Sequence, residues 1–220
     1  MTRRIVLATR NDHKVHELRQ ILAEVCRDLD VEIVGVSEFA GVADVPETEV
    51  TFVGNARLKA VAVAAATGLP ALADDSGLAV AVLGGAPGVF SARWSGKRAG
   101  VAAARAEIDR ENVTLLLEQL ADVGEEHRAA AFVCAAVLAL PGGSVAATEG
   151  RVEGRLEFAP RGTNGFGYDP IFRPAADHGG RTLAEFTDAQ KNAISHRGNA
   201  FRAMADLLRT HSAELGPLAR

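Results

Sequence analysis

Short aliphatic runs alternate with helical patterns along this chain, and this alternation restricts its possible folds more than any other feature. The run Ile5–Ala8 leads through polar residues 9–12 into a segment where Val15, Leu18 and Leu22 recur at helical spacing. Residues 129–140 and 144–148 flank a Pro-Gly-Gly turn, which favours a β-hairpin. Strands and helices that alternate and include a hairpin predict an α/β fold with a mixed central sheet.

Local signals place the other elements. Thr51 can cap a helix that runs to about Ala66, and Gly68 can end it. Asn11 or Asp12 can cap the first helix. The remaining candidates are strands at Val31–Val36, Ala71–Ala73 and Leu78–Leu83, a helix over about residues 98–121, and a last helix with Phe201, Met204, Leu208 and His211 on one face.

Composition indicates an ordinary globular chain. The 220 residues are 48% hydrophobic and 24% charged, and the formal net charge is −4. These values argue against disorder, so we expect a single domain over residues 1–220. No basic field covers the protein, and we therefore expect no nucleic-acid partner.

The cysteines and the apolar runs bear on location. Cys26 and Cys134 lie far apart and match no metal-binding spacing, which favours a reducing compartment. Ile5–Ala8 is too short for the core of a signal peptide. The longest apolar run, residues 129–140, is shorter than the roughly 18 residues that a membrane span needs. We expect a soluble, cytoplasmic protein with no membrane partner.

The polar residues Thr9 to Lys14 form the first candidate site. A turn between a strand and a helix exposes backbone N–H groups, and the helix dipole favours an anion there. Thr9 and Asn11 add side-chain donors, and Lys14 adds a positive charge. The alternative is a capped surface helix with a solvated lysine, and neither a P-loop nor a GxGxxG turn is present.

The run Asp74-Asp75-Ser76-Gly77 is the second candidate, at a predicted strand end. Adjacent carboxylates on a strand point to opposite faces, so one could hold a divalent cation or activate water while the other pairs internally. A plain Asp-Ser-Gly turn is the alternative. Glu47 and Glu49 are a further carboxylate source for a metal, although acids in a loop are usually solvated.

Two more groups lie towards the end of the chain. Phe166 and Tyr168, in a glycine-rich loop, could sandwich a flat base while Asp169 accepts from a ring N–H, or they could anchor the loop to the core. Lys191 with residues 195–198 concentrates hydrogen-bond donors, or forms the polar start of an amphipathic helix. Together the candidates fit a soluble enzyme that acts on an anionic, flat-ringed ligand with a hard metal.

Five segments in order also carry a family resemblance. They are IVLATRNDHKVHEL, ETEVTFVGNARLKA, ALADDSGLAV with LGGAPGVFSARWSG, GFGYDPIF and KNAISHRGNAF. With them the chain resembles the inosine/xanthosine triphosphate pyrophosphatases, in their bacterial form. The resemblance implies a long mixed sheet flanked by helices, two lobes with the active-site cleft between them, and a homodimer. It also implies Mg²⁺-dependent cleavage of dITP, ITP, XTP or dXTP to the nucleoside monophosphate and pyrophosphate.

The resemblance also implies roles for individual residues. Asp75 would be the general base and a Mg²⁺ ligand, and Glu47 would be the second metal contact. Arg10 stands where glycine is common in such proteins, and so does Asn164. The residues implied to bind substrate are Thr9, Arg10, Asn11, Asp12, His13 and Lys14 for the phosphates, Ser76, and Phe166, Gly167, Tyr168, Asp169, Lys191, His196 and Arg197 for the base.

Two other functions stay open at this point. A related pyrophosphatase would act on modified pyrimidine nucleotides, and a regulatory module would bind a nucleotide without cleaving it. The donors around Lys191 and Arg197 favour purines with a 6-oxo group, because a 6-amino group would leave those donors unpaired at a cost of about 1–3 kcal/mol each. Paired acids beside a phosphate site disfavour a pure binder.

Overall fold

The computed structural model of the chain describes residues 3–96, 105–210 and 212–215. Six strands form one sheet in the order β2-β1-β3-β4-β5-β6. The strands are β1 (Arg3–Leu7), β2 (Val31–Gly35), β3 (Ala71–Val80), β4 (Ala129–Ala139), β5 (Val145–Leu156) and β6 (Phe172–Pro174). The helices are α1 (Asp12–Ile21), α2 (Ala23–Asp28), α3 (Phe52–Thr67), α4 (Arg105–Gln119), α5 (Asp188–Ile194) and α6 (His196–Thr210).

The sheet is mixed, as predicted. Strand β1 runs parallel to β2, with Ile5 opposite Ile33, and parallel to β3, with Val6 opposite Ala71. Strands β5 and β6 are antiparallel, with Gly154 opposite Pro174. The predicted hairpin is confirmed, because residues 140–144 form the turn between β4 and β5.

The chain divides into two compact units. Unit 1 comprises residues 1–75, 134–150 and 197–220, and unit 2 comprises residues 76–133 and 151–196. The chain passes from unit 1 to unit 2 within β3, between Asp75 and Ser76.

Unit 1 buries both faces of β1 over residues 5–7. Alternate residues here enter different cores: Ile5 and Leu7 of β1 pack with residues of α1 and α6, whereas Val6 of β1 and the following Ala8 pack with residues of α3. The buried face of α3 is rich in alanine, so its backbone can lie close to the strands. Two-sided burial explains why β1 reads as a continuous aliphatic run.

Unit 2 has a core of its own. Leu78 and Val80 of β3 pack with Val113 and Leu116 of α4, and the core also contains several aromatic side chains. These are Phe132, Tyr168, Phe172 and Phe186.

The predicted caps are confirmed. The Asn11 side chain accepts from the N–H groups of His13 and Lys14, and that of Thr51 accepts from Gly54. Gly68 ends α3 with a φ of 67°, a left-handed conformation that glycine adopts without strain. Residues 98–104 of the predicted fourth helix, and His211, lie outside the described residues.

One prediction about the strands is wrong. The sequence predicts separate strands at Ala71–Ala73 and Leu78–Leu83, with Asp74-Asp75-Ser76-Gly77 following the end of the first, but Ala71–Val80 is a single strand and Ala81–Leu83 is a short 3-10 helix. Asp74 and Asp75 therefore lie in the middle of β3. Both are buried, and cationic side chains from neighbouring helices provide their partners, which overrides the low strand propensity of aspartate.

Within the described ranges, no helix is both long enough and apolar enough to cross a membrane.

Candidate active site

The first turn of α1 places Lys14 over β3. Thr9 Oγ1 accepts from the N–H of Asn11, and Asn11 caps the helix, so both side chains organise the turn. Lys14 Nζ donates to Asp74 Oδ2 at 2.9 Å. A lysine on a first helical turn opposes the helix dipole, and this internal carboxylate compensates for it.

Other residues of this turn face outward. Asp12 and His13 are exposed on the first turn of α1. Arg10 reaches towards the acidic loop, which comprises residues 44–49. Its Nε donates to Asp44 Oδ1 at 2.7 Å, and its Nη2 donates to the carbonyl of Val42, just before the loop, at 2.6 Å. Arg10 therefore ties the turn to the loop that also carries Glu47.

Asp74 is the centre of a buried ionic network in unit 1. Its side chain has no solvent exposure, and besides Lys14 it contacts Arg197, whose Nη2 lies 3.3 Å from Asp74 Oδ2. Although burial alone would raise the pKa of Asp74, the charges of Lys14 and Arg197 hold that pKa well below its usual range. Arg197 also donates to Glu17 Oε2 at 2.5 Å, and its pKa is raised by these two acids despite burial.

Asp75 points to the other face of β3 and has a different set of partners. Lys59 Nζ donates to Asp75 Oδ1 at 3.3 Å, and Asn55 Nδ2 donates to Asp75 Oδ2 at 3.2 Å. Burial raises the pKa of Asp75, and the nearby charge of Lys59 opposes this rise. A carboxylate held by two donors, with its pKa raised, has the properties of a general base.

Lys59 also joins Asp75 to the acidic loop. Its Nζ donates to Glu47 Oε1 at 3.1 Å, so the carboxylates of Glu47 and Asp75 share one ammonium group. Glu49 contributes its backbone N–H to Asn55 instead. Glu47 is therefore the loop carboxylate that lies within hydrogen-bond distance of Lys59, the partner of Asp75.

Asn55, Lys59 and Glu17 were not singled out from the sequence. Asn55 and Lys59 lie four residues apart on α3 and therefore on one face of that helix. Two polar residues on this alanine-rich face were one available signal. Another was that only four of the 24 basic residues are lysines. The three described lysines, Lys14, Lys59 and Lys191, each pair with a buried aspartate.

Unit 2 contains a second acid–lysine cluster. Lys191 Nζ donates to Asp169 Oδ2 at 2.7 Å, and both side chains are almost fully buried. The same Asp169 oxygen accepts from the N–H of Phe166 at 2.9 Å, and Lys191 Nζ lies 4.9 Å from the centre of the Phe166 ring. Gly165 has a φ of 75°, and a Cβ there would meet Asp169 and Lys191. Glycine is therefore required at this position.

Two further residues of the loop that carries Phe166 and Tyr168, here called the aromatic loop, contact α4 and the core of unit 2. The N–H of Gly167 donates to Asp109 Oδ2 of α4 at 3.1 Å. Tyr168 is buried in the unit 2 core, and its hydroxyl donates to the carbonyl of Ser91 at 3.0 Å. Its ring thus has the anchoring role that the sequence left as the alternative, whereas the ring of Phe166 is half-buried.

The two remaining candidates also lie in unit 2. Ser76 follows Asp75 on β3 and is half-buried. His196 begins α6 and stacks on Phe132, with ring centres 4.6 Å apart and an interplanar angle of 9°. The candidate residues thus fall into two sets: Asp169, Lys191 and their neighbours within unit 2, and, within unit 1, Thr9 to Lys14, Glu47, Asp75 and Arg197.

Glu47 and Asp75 fit a hard cation that takes part of its coordination from a substrate. Within residues 3–96, 105–210 and 212–215, no group of three or more His, Cys, Asp or Glu side chains has the geometry of a complete metal site. Mg²⁺ commonly uses one or two carboxylates together with phosphate oxygens of a substrate. Two carboxylates that converge on one positive charge match that mode of binding.

The fold and these clusters indicate an α/β enzyme. Burial of acids beside lysines costs folding free energy, and such groups are typical of catalytic sites. The chain belongs to the Ham1 family, whose model matches residues 5–207. This confirms the resemblance that the five motifs indicated.

Relatives and solved structures agree with this assignment. The dITP/XTP pyrophosphatase of Streptomyces avermitilis is 53% identical over 206 residues, which cover 94% of this chain and 97% of that protein. The dITP/XTP pyrophosphatase of Frankia alni is 55% identical over the same shares of the two chains. A HAM1 protein from Coxiella burnetii superposes with a TM-score of 0.80 at 42% identity, covering 96% of this chain and all of that one.

Proposed function

We propose that this protein hydrolyses non-standard purine nucleoside triphosphates, namely dITP, ITP, XTP and dXTP, to the nucleoside monophosphate and pyrophosphate. The observation that carries the proposal is the buried carboxylate of Asp75, held by Lys59 and Asn55 on the strand where Asp74 holds Lys14. The relatives are named dITP/XTP pyrophosphatases, which supports dITP and XTP among these substrates.

We assign the phosphates to the unit 1 set. The start of α1 presents the positive end of its helix dipole to an anion, and Lys14 and Lys59 add positive charge for a triphosphate. Phosphoryl transfer depends mainly on positioning and charge neutralisation, so residues of this kind account for most of the catalysis.

We assign the general base to Asp75. One of its carboxylate oxygens accepts the proton of the attacking water, while Lys59 and Asn55 keep the carboxylate oriented. Its raised pKa makes it a better proton acceptor than an exposed aspartate.

Mg²⁺ is the cofactor that we propose, with Asp75 and Glu47 as its protein ligands. When bound, it would neutralise phosphate charge and lower the pKa of the attacking water.

We assign binding of the substrate's nucleobase to the unit 2 set. Phe166 offers a ring to a flat base, and Lys191 and the N–H groups of the loop offer donors to a 6-oxo group. Adenine carries a 6-amino donor at that position and would leave such a donor unpaired. The other residues of the proposed substrate-binding set are Thr9, Arg10, Asn11, Asp12, His13, Ser76, Gly167, Tyr168, Asp169, His196 and Arg197.

End-product analysis on a panel of triphosphates tests the proposal. The purified protein is incubated with dITP, XTP, ATP, GTP and modified pyrimidine triphosphates, with and without Mg²⁺, and the products are separated by anion-exchange chromatography. We expect monophosphate and pyrophosphate from dITP and XTP only when Mg²⁺ is present, with ATP a poor substrate. Preferential cleavage of a pyrimidine triphosphate, or nucleotide binding without pyrophosphate, would contradict it.

Assembly and location are further proposals. We propose a homodimer in the cytoplasm that has no nucleic-acid partner, in line with the net charge of −4 and with the two cysteines being free thiols. Light scattering after gel filtration tests the dimer, and a mass of 23.0 kDa would contradict it.

A further inference from the structure

Asn55 links the acidic loop to Asp75 through both ends of its amide group. The residue has no solvent exposure. Its Oδ1 accepts from the backbone N–H of Glu49 at 2.9 Å, and its Nδ2 donates to Asp75 Oδ2 at 3.2 Å. The two partners lie six residues before it and twenty residues after it in the chain.

Only one orientation of this amide satisfies both partners. If the amide were rotated by half a turn, its oxygen would face a carboxylate oxygen and its NH₂ group would face an N–H donor, so both contacts would be repulsive. A buried asparagine with complementary partners on both sides therefore has a unique position.

The loop also lies directly against the first turn of α3. A Cβ built on Gly54 would come within 2.7 Å of the Glu49 Cβ and within 2.9 Å of Thr51 Oγ1. Because Gly54 has no side chain, the backbone of Glu49 can approach Asn55 closely enough to form the hydrogen bond.

We propose that Asn55 is a positioning residue that fixes the loop bearing Glu47 relative to the carboxylate of Asp75. Lys59 alone cannot do this, because its side chain is long and flexible, whereas asparagine has two side-chain torsions and a planar, directional amide. The inference rests on the proposed function, in which the two carboxylates act together.

Two variants separate the two hydrogen bonds of Asn55. Asn55→Ala removes both. Asn55→Asp retains an acceptor for Glu49 but loses the donor to Asp75 and places a second carboxylate beside it. The matched control is Asn112→Ala, because Asn112 is a buried residue in unit 2 that also uses both ends of its amide: it accepts from the N–H of Ser95 and donates to the carbonyl of Ser91.

The first measurement is hydrogen exchange of residues 44–52 without metal or nucleotide. A net hydrogen bond of about 0.5–1.5 kcal/mol corresponds to roughly 2- to 12-fold faster exchange of the Glu49 amide in Asn55→Ala. Asn55→Asp and Asn112→Ala should exchange at the wild-type rate there.

The second measurement is the Mg²⁺ concentration for half-maximal pyrophosphate release from dITP. Loss of a residue that orients metal ligands commonly weakens metal binding about 10- to 100-fold, so this concentration should rise by that factor in Asn55→Ala and Asn55→Asp. It should stay at the wild-type value in Asn112→Ala.

Wild-type exchange and a wild-type Mg²⁺ requirement in Asn55→Ala would overturn the inference. If Asn55→Ala does not fold, Gly54→Ala replaces it, because the added methyl group displaces Glu49 while the side chains of Asn55 and Asp75 are both retained. Gly54→Ala should then raise both the exchange rate and the Mg²⁺ requirement, and no change in either overturns the inference. Absence of pyrophosphate release from the wild type would instead refute the proposed function, and the exchange data would still test Asn55.

Discussion

The Nζ atom of Lys14 lies 2.9 Å from Oδ2 of Asp74, whose side chain is completely withdrawn from solvent. The same oxygen lies 3.3 Å from Arg197, so a single carboxylate neutralises two cations that come from opposite ends of the chain. This makes Asp74 a determinant of stability, whereas its neighbour Asp75 is the group to which we assign chemistry.

Asp74→Asn should strongly destabilise the protein at neutral pH. Removal of one partner of a buried ion pair costs about 3–5 kcal/mol, and in this variant Lys14 loses the buried carboxylate that it contacts while Arg197 loses one of its carboxylate partners. Since the folded-state pKa of Asp74 is lowered, its contribution is fully present above about pH 3.9, the value in an unfolded chain, and declines as the pH falls below that value.

Urea unfolding of wild type and Asp74→Asn between pH 3 and pH 8 measures this difference. The control is Asp206→Asn, which removes an exposed ion pair with Arg209 and should cost about 0–1 kcal/mol. Equal losses for the two variants at pH 7 would show that the buried network is not stabilising.

Asp75→Asn should abolish most turnover and leave the fold intact. The amide cannot accept a proton from water, and a positioned base commonly contributes about 10²- to 10⁴-fold to the rate. Pyrophosphate release from dITP measures kcat, and circular dichroism checks the fold. The exposed Asp122→Asn variant should match wild type, and an Asp75→Asn enzyme that is equally active would refute the assignment.

Substitution of Lys59 should shift the pH dependence of the reaction. Asp75 must be ionised to act as a base, and burial raises its pKa, so kcat/KM should fall on the acidic side of a midpoint above about pH 3.9. The charge of Lys59 lowers this pKa, and Lys59→Met should therefore move the midpoint to higher pH. Lys59→Arg keeps the charge and should shift it less. Profiles of kcat/KM from pH 4 to 9 measure this midpoint. An unshifted midpoint in Lys59→Met would contradict the role of the Lys59 charge in lowering the pKa of Asp75.

The buried ion pair of Lys191 and Asp169 in unit 2 should contribute to the free energy of unfolding as a coupled pair. Lys191→Met leaves Asp169 buried without its cation and should cost about 3–5 kcal/mol of stability. The double variant Lys191→Met/Asp169→Asn should lose less than the sum of the two single changes, because both charges are gone. Unfolding free energies of all four proteins give the coupling, and strict additivity would show that the pair is not coupled. The KM for dITP should rise in Lys191→Met.

Two glycines of the aromatic loop should respond differently to alanine. Both have positive φ, and a left-handed conformation costs a non-glycine residue roughly 1–2 kcal/mol. In Gly165→Ala the new methyl group would also meet Asp169 and Lys191, whereas in Gly167→Ala it would meet nothing within 4 Å. Gly165→Ala should therefore be the less stable variant, with the larger rise in KM for dITP. Equal midpoints of thermal unfolding would contradict the contact.

Much of the fold was readable from local signals. Asn11, Thr51 and Gly68 mark the ends of helices because they satisfy backbone groups within a few residues of themselves. The hairpin of β4 and β5 was readable because its turn residues lie between two apolar segments. The five motifs identified the family for a similar reason, since each is a continuous segment.

Local signals did not predict that β3 is a single strand. Asp74 and Asp75 resemble a turn in the sequence, yet they lie within a strand because Lys14, Lys59, Asn55 and Arg197 stabilise their buried carboxylates. These partners are between 16 and 123 residues away along the chain.

The sequence by itself determined the caps of α1 and α3, the hairpin and the family, because these depend on neighbours in the chain. Only the tertiary structure decided which carboxylate pairs with which cation. It also decided that the side chain of Asn55 accepts from the N–H of Glu49 and that Tyr168 is buried in the unit 2 core. The physical reason is that the pKa and the orientation of a buried group depend on neighbours in space, and folding brings those neighbours from distant parts of the chain.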